Sequence, residues 1–259
     1  MDKKEMRIDE ITICLHCGCD QQVVNKQVEA LKPLESIYKV YWNNRIERHP
    51  EAYDSYSELI NDSIATSPTE LVILINDRTH PTAEQVEKMV RLIEAGYAAA
   101  TMYSVGFMAL TKELIRKIGW WDERFYGAGY EDDDFVLRMR LNDLAYYESE
   151  EAEYDMNWKS PLIAKGGDKC SKSEPWFREK WQITETEVRQ VRDNEDYNKY
   201  EGKLGESRPD ISERWMRWSQ SVIGYRFLYR MHTNKGGQSR TYWFCDWLNT
   251  QRDIKKVIK

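Results

Sequence analysis

Four carboxylates in a row, Glu131-Asp132-Asp133-Asp134, follow a loop carrying Gly127 and Gly129 and open an apolar-periodic segment. Acids in the first turn of a helix interact favourably with the macrodipole and with the unpaired N–H groups there. One or two would serve that purpose; four also repel one another, which tends to raise at least one pKa. The two glycines let the backbone turn sharply and approach a ligand closely, so a carboxylate held here could act as general base toward a hydroxyl. Helix start and catalytic base both remain open on these grounds. A second cluster, Asn76-Asp77-Arg78-Thr79-His80-Pro81, breaks the chain directly after the apolar run ELVILI of residues 70–75. It offers a carboxylate for a cation, a guanidinium for phosphate oxygens, or an ordinary turn.

The elements that must position these residues alternate. Residues 10–17 (EITICLHC) read as a buried strand, 21–33 as a helix ending before Pro33, and 36–42 as a second strand closed by a turn at Asn43-Asn44. Residues 53–66 suit a helix, stopped at Ser67-Pro68. Within the run 70–75, Leu71–Ile75 is continuously apolar and rich in β-branched residues, as in a central strand covered on both faces. Thr82 caps a helix over 83–95 that ends at Gly96, one or two strands lie within 97–110, and Thr111 caps a short helix over 111–118. A helix from Glu131 to about Asn142 and short strands at 144–148 and 151–155 follow. Alternating strands and helices imply an α/β fold with a largely parallel sheet flanked by helices. Ligands in such sheets bind beyond the carboxyl ends of the strands, which directs attention to the loops after residues 10–17 and 70–75.

Bulk properties narrow the class. The 259 residues are 41% hydrophobic and 32% charged, with no apolar run near the roughly 20 residues of a membrane span. The N-terminal MDKKEMRIDEITICLH lacks the apolar stretch of about 7–15 residues of a signal peptide, so a cytoplasmic protein is expected. Five cysteines without framework spacing argue against a disulfide scaffold. Cys14, Cys17, Cys19 and His16 do not complete a zinc pattern, and none of the four histidines has metal-ligand spacing. The net charge of -6 is uneven: residues 211–259 hold ten Lys/Arg against three acids, a net +7, which leaves -13 on residues 1–210. Such a split suits an anionic partner for the tail.

The acidic segment with its flanks, Gly119, Trp121-Asp122-Glu123-Arg124-Phe125, Glu131-Asp132-Asp133-Asp134-Phe135 and Arg138, resembles the acceptor-side motif of inverting GT-A glycosyltransferases. Gly-Ala-Gly-Tyr-Glu-Asp-Asp-Asp is also similar to the corresponding stretch of galactosyltransferases. Tyr56–Asn61, Leu71–Asp77 and Val105–Leu110 resemble the family's segments upstream, so the likeness covers about residues 10–160. It implies a GT-A core over 1–183, a mixed, mostly parallel sheet flanked by helices, with a helical or irregular extension over 184–259. It further implies that Asp132 deprotonates the acceptor hydroxyl, with acceptor contacts from Glu131, Gly129, Tyr130 and Trp121; Asp133 and Asp134 are then helix-start acids. On the donor side it implies contacts from His16, Asn43, Asn44, Asn76, Asp77 and Arg78 to a nucleotide sugar, with a UDP-sugar favoured. His16 is equally a strand-end residue, and a simple turn accounts equally well for Asn43 and Asn44.

The donor side departs from the family pattern. Where the family has a carboxylate that binds a divalent cation, this chain has Arg78. Asp77 could still hold Mn²⁺ or Mg²⁺ with Asp155 as a second oxygen ligand, in place of the family's later histidine; alternatively Arg78 itself neutralises the leaving diphosphate. The acceptor is expected to be a glycan or, given the +7 tail, a hydroxymethylated base in DNA. A catalytically inactive nucleotide- or nucleic-acid-binding protein is the competing expectation, motivated by the altered Asn76-Asp77-Arg78 site. A sugar nucleotidyltransferase would need a glycine-rich basic loop after the first strand, and Cys17-Gly18-Cys19-Asp20 is a poor one.

Overall fold

The computed structural model describes residues 7–16, 21–44, 53, 55–123, 125–140, 142, 144–155 and 171–181. Cys17, Cys19, Cys170, Cys245, Arg124, residues 156–169 and everything from 182 onward, including the basic tail, lie outside the described residues. The chain divides into two compact units, one of residues 1–53, 59–115 and 144–161, the other of 54–58, 116–143 and 162–259. The expected boundary at 183 lies outside the described residues.

The first unit holds the sheet. Its strands are β1 (Glu10–His16), β2 (Lys39–Asn44), β3 (Leu71–Asn76), β5 (Ala99–Met102), β6 (Phe107–Thr111) and β7 (Tyr146–Ser149), in the order β2-β1-β3-β6-β5-β7. Only β6 runs against its neighbours; the other pairings are parallel. The expected α/β class with a mixed, mostly parallel sheet flanked by helices is present. β4 (Thr79–His80) and β8 (Glu153–Tyr154) form a separate antiparallel ribbon.

β1 divides its side chains between two faces, as the period of two requires. Ile11, Ile13 and Leu15 enter the apolar core with Leu71, Ile73 and Ile75 of β3, and α3 (Ala83–Glu94) adds Val86, Met89, Val90 and Ile93. Thr12, Cys14 and His16 lie on the opposite face, where α2 (Tyr56–Thr66) and the turn after it supply hydroxyls and carbonyls. Thr82 and Gln85 form a full capping box at the start of α3, the cap read from sequence. Thr111 likewise caps α4 (Lys112–Ile118), accepting from the Leu114 N–H at 3.2 Å. The first helix, α1 (Gln21–Leu31), ends earlier than expected and gives way to a 3₁₀ turn over Lys32–Ser36, which accommodates Pro33 near its start.

Asn43 and Asn44 belong to β2, opposite Cys14 and Leu15, rather than to a turn. Parallel pairing with β1 overrides the local turn preference of two consecutive asparagines. No helix among the described residues is long and apolar enough to cross a membrane.

The second unit carries α5 (Glu131–Arg140) and α6 (Glu174–Trp181). Its core is aromatic. Trp121 stacks on Phe135 with ring centroids 4.2 Å apart and planes 9° from parallel, and Phe177 of α6 packs against Tyr130 and Phe125. The Trp176 indole donates to the buried Asp122 carboxylate at 3.1 Å.

Candidate functional site

The corner after β3 is closed by its own side chains. The Asn76 side-chain carbonyl accepts the N–H groups of Arg78 and Thr79, each at 3.0 Å, which fixes an Asx turn. Buried Gln27 donates to the carbonyls of Asn76 and Thr79 at 3.1 and 2.8 Å, and the Thr79 hydroxyl donates to the Gly106 carbonyl at 2.8 Å. A Cβ at Gly106 would stand 3.0 Å from Asn76 Nδ2 and 3.1 Å from Thr79 Cγ2. Gly106→Ala is therefore expected to push the turn apart and cost about 1–3 kcal/mol, read as a lowered urea midpoint with unchanged slope.

On this turn Asp77 is buried and Arg78 partly exposed. The β4–β8 ribbon brings Asp155 beside them: the Asp155 N–H donates to the Arg78 carbonyl at 2.7 Å, and Arg78 Nε donates to the Asp155 carbonyl at 3.2 Å. The Arg78 guanidinium lies 4.3 Å from the centre of the Tyr154 ring, which in turn stacks on Tyr103 at 3.7 Å. Asp77, Arg78 and Asp155, singled out from sequence at a separation of almost eighty residues, thus share one corner.

That donor set does not fit a dedicated metal site. Mg²⁺ and Mn²⁺ take oxygen ligands and are held by one or two carboxylates together with substrate phosphates. Asp77 and Asp155 offer two, but a fixed guanidinium occupies the same corner and would repel a second cation. Among the described residues no group of three or more His, Cys, Asp or Glu side chains is arranged to hold a metal ion.

His16 and Asn43 are engaged inward. The Ser63 hydroxyl donates to the Leu59 carbonyl at 2.9 Å and shares a hydrogen bond with His16 Nε2 at 2.8 Å. Asn43 Nδ2 donates to the Ser63 carbonyl and to the Thr66 hydroxyl, both at 3.2 Å. Both residues anchor β1 and β2 to α2, while Asn44 is placed in the register of β2.

In the second unit the acidic motif forms the first turn of α5. The loop before it needs its glycines: Gly127 has φ 75° and Gly129 φ 114°, and Tyr130 is also left-handed at φ 68°. Gly127 is held by a backbone bridge to Ser55 and accepts the Tyr56 N–H at 2.6 Å. The four acids then diverge. Glu131 is buried and its carboxylate folds back onto the Gly129 N–H. Asp132 is half-buried, and its Oδ1 accepts the Asp133 N–H at 3.0 Å. Asp133 is half-buried as well. Asp134 is wholly buried and pairs with Arg138 one turn on, at 3.0 Å. Arg138 also donates to the carbonyls of Ile118 and Gly119 at 3.0 and 3.3 Å. Asp134 is thus a core ion-pair partner and not only a helix-start acid. Burial lowers the Arg138 pKa, opposed by the charges of Asp134 and Asp122.

Two expected acceptor contacts need correction. Trp121 is fully buried against Phe135, so its ring belongs to the core and offers no face to a ligand. Tyr130 is buried too, packed on Phe177 with its hydroxyl donating to Glu174 at 3.3 Å. Gly129 shapes the loop and spends its N–H on Glu131.

No protein-family model matches the chain, and no curated protein matches it. Similar solved structures do exist. One is the Drosophila β-1,4-galactosyltransferase 7, a mutant in complex with manganese, UDP-Gal and xylobiose, at 12% identity and a TM-score of 0.47 over 65% of this chain and 79% of that one. Another is glucosyl-3-phosphoglycerate synthase from Mycobacterium tuberculosis with Mn²⁺, UDP and glucosyl-3-phosphoglycerate, at 14% identity and a TM-score of 0.41 over 61% of this chain and 75% of that one. Likeness at this level assigns no activity to this chain.

The electrostatics of the acidic turn are asymmetric. Burial first, and then the neighbouring charge of Asp132, push Glu131 up to about 8 from an ordinary 4.5. At neutral pH Glu131 therefore carries a proton for most of the time, beside the more exposed Asp132. A carboxyl with a raised folded pKa favours the native state below pH 4.5 and loses that advantage as pH rises to about 8. Each tenfold change in proton affinity is worth about 1.4 kcal/mol. Glu131→Gln is expected to flatten the fall in melting temperature between pH 5 and 8; parallel wild-type and variant curves would contradict this placement.

Proposed function

We propose that the chain is a nucleotide-sugar-dependent glycosyltransferase that moves a sugar to an acceptor hydroxyl with inversion. The observation that carries this reading is the acidic turn of α5: a buried Glu131 beside a half-buried Asp132, presented by a loop in which Gly127, Gly129 and Tyr130 have positive φ. In the proposed reaction the acceptor hydroxyl loses its proton to Asp132 as its oxygen bonds to the anomeric carbon. The bond from that carbon to the diphosphate oxygen breaks on the opposite face, and the nucleoside diphosphate leaves with the electron pair. Glu131, buried on the Gly129 N–H, is assigned the hydrogen bond to the acceptor that the resemblance implies, which requires its second carboxyl oxygen to reach the ligand. The pre-formed corner Asn76-Asp77-Arg78 is assigned to the donor's diphosphate, and no step is routed through a metal.

UDP-sugars are the first donors to test and glycans the first acceptors. The test is release of nucleoside diphosphate from a panel of nucleotide sugars, with and without saccharide acceptors and with and without Mn²⁺. Acceptor-dependent release with inverted product supports the reading. Binding of a nucleotide sugar without turnover under any of these conditions would replace it with a binding protein.

A further inference from the structure

Arg78 is held more firmly than a turn residue requires. The Arg78 guanidinium carbon lies over the Tyr154 ring, 4.3 Å from its centre, Tyr154 lies on Tyr103 with planes 15° from parallel, and Nε donates to the Asp155 carbonyl at 3.2 Å. Tyr103 reaches this stack from a left-handed conformation, φ 74° and ψ 61°, which a tyrosine adopts only where its surroundings dictate it. Its N–H donates to the Ser149 carbonyl of β7 at 2.7 Å, and its carbonyl accepts the Gly106 N–H at 3.1 Å. The backbone of Arg78 is itself part of the Asx turn tied to Gln27 and Gly106. Strand ends, ribbon and turn therefore converge on one partly exposed cation. The ring contact and the Nε bond restrict how the guanidinium can turn, and the donor geometry of a guanidinium matches the oxygens of a phosphate.

We infer that Arg78 is the cation that neutralises the donor's diphosphate, so that this corner takes a nucleoside diphosphate without a divalent metal. The inference deepens the proposed donor reading and rests on it. A side chain supplies permanently what a metal supplies only when bound, and the Tyr103–Tyr154 platform removes the flexibility that makes a surface arginine a poor anion site.

Isothermal titration of the full chain with UDP, GDP and UMP, in EDTA and in millimolar MnCl₂, tests it. The expected result is diphosphate binding of equal affinity in both media. Arg78→Ala should weaken UDP by roughly tenfold or more in EDTA and leave UMP little changed, with an unaltered melting temperature. Tyr154→Leu should weaken UDP less, and Arg78→Lys should only partly restore what alanine removes. Diphosphate binding that requires Mn²⁺ overturns the inference while the donor reading stands. Equal losses for UDP and UMP in Arg78→Ala overturn it as well, since they indicate a structural role. If no nucleoside diphosphate binds in either medium, the donor reading falls together with it.

Discussion

Asp132→Asn is expected to leave the chain folded and able to bind a nucleotide sugar, while transfer to an acceptor falls by roughly 10²–10⁴-fold. The substitution is nearly isosteric. The Oδ1 atom that accepts the Asp133 N–H at 3.0 Å is retained as an amide carbonyl, so the start of α5 keeps that contact. What disappears is the capacity to take a proton from a hydroxyl. Asp132 also raises the pKa of Glu131 through its charge; removing that charge should make Glu131 more acidic, which a shifted pH–rate profile of any residual activity would reveal. Full turnover in the variant would move the base elsewhere, and Glu131 would be the next group to test by substitution.

The second large effect concerns stability. Arg138→Met should destabilise the chain by about 3–5 kcal/mol, because it leaves the wholly buried Asp134 carboxylate without the guanidinium 3.0 Å away. It also removes the donors to the carbonyls of Ile118 and Gly119, which join the end of α4 to α5. A buried ion pair replaced whole is another matter, since both desolvation penalties disappear together. Asp134→Leu combined with Arg138→Met should therefore recover part of the loss, and the double-mutant cycle in urea measures the coupling. Two mild and additive single effects would show that the pair does not hold the turn.

The sequence is most legible where one physical signal dominates. The run Leu71–Ile75 has no polar residue and lies in the centre of the sheet, with every one of these side chains buried. The caps Thr82 and Thr111 were readable because each hydroxyl needs only its own local helix. Asn43 and Asn44 suggest a turn because turn propensity is local, whereas their pairing with Cys14 and Leu15 is not. The ribbon β4–β8 is two residues on each side, too short for any periodicity to show, yet it is what carries Asp155 to Arg78.

In the candidate site, residue type was legible and environment was not. Four adjacent acids look alike in sequence, but one is buried on a backbone N–H, one is sealed in an ion pair, and two are half-exposed. The spacing of Asp134 and Arg138, four residues apart, is the signal that could have separated the paired acid from the others. Trp121 enters the acceptor set only through the family resemblance, and a large aromatic beside Phe135 in space fills a core as readily as it holds a sugar. At the start of α2 the Ser55 hydroxyl accepts the Glu58 N–H at 3.1 Å.

Ser55 and Gly127 meet in a backbone bridge although they stand about seventy residues apart along the chain. A glycine loop of this kind cannot acquire its shape from its own neighbourhood; it must wait until a distant segment has been brought to it, at the entropic expense of closing a long loop. During synthesis Ser55 is made well before Gly127, so the segment the glycine loop bridges to already exists when that loop emerges. Excising residues 116–143 as a peptide would discard the very residues against which Gly127 is bridged.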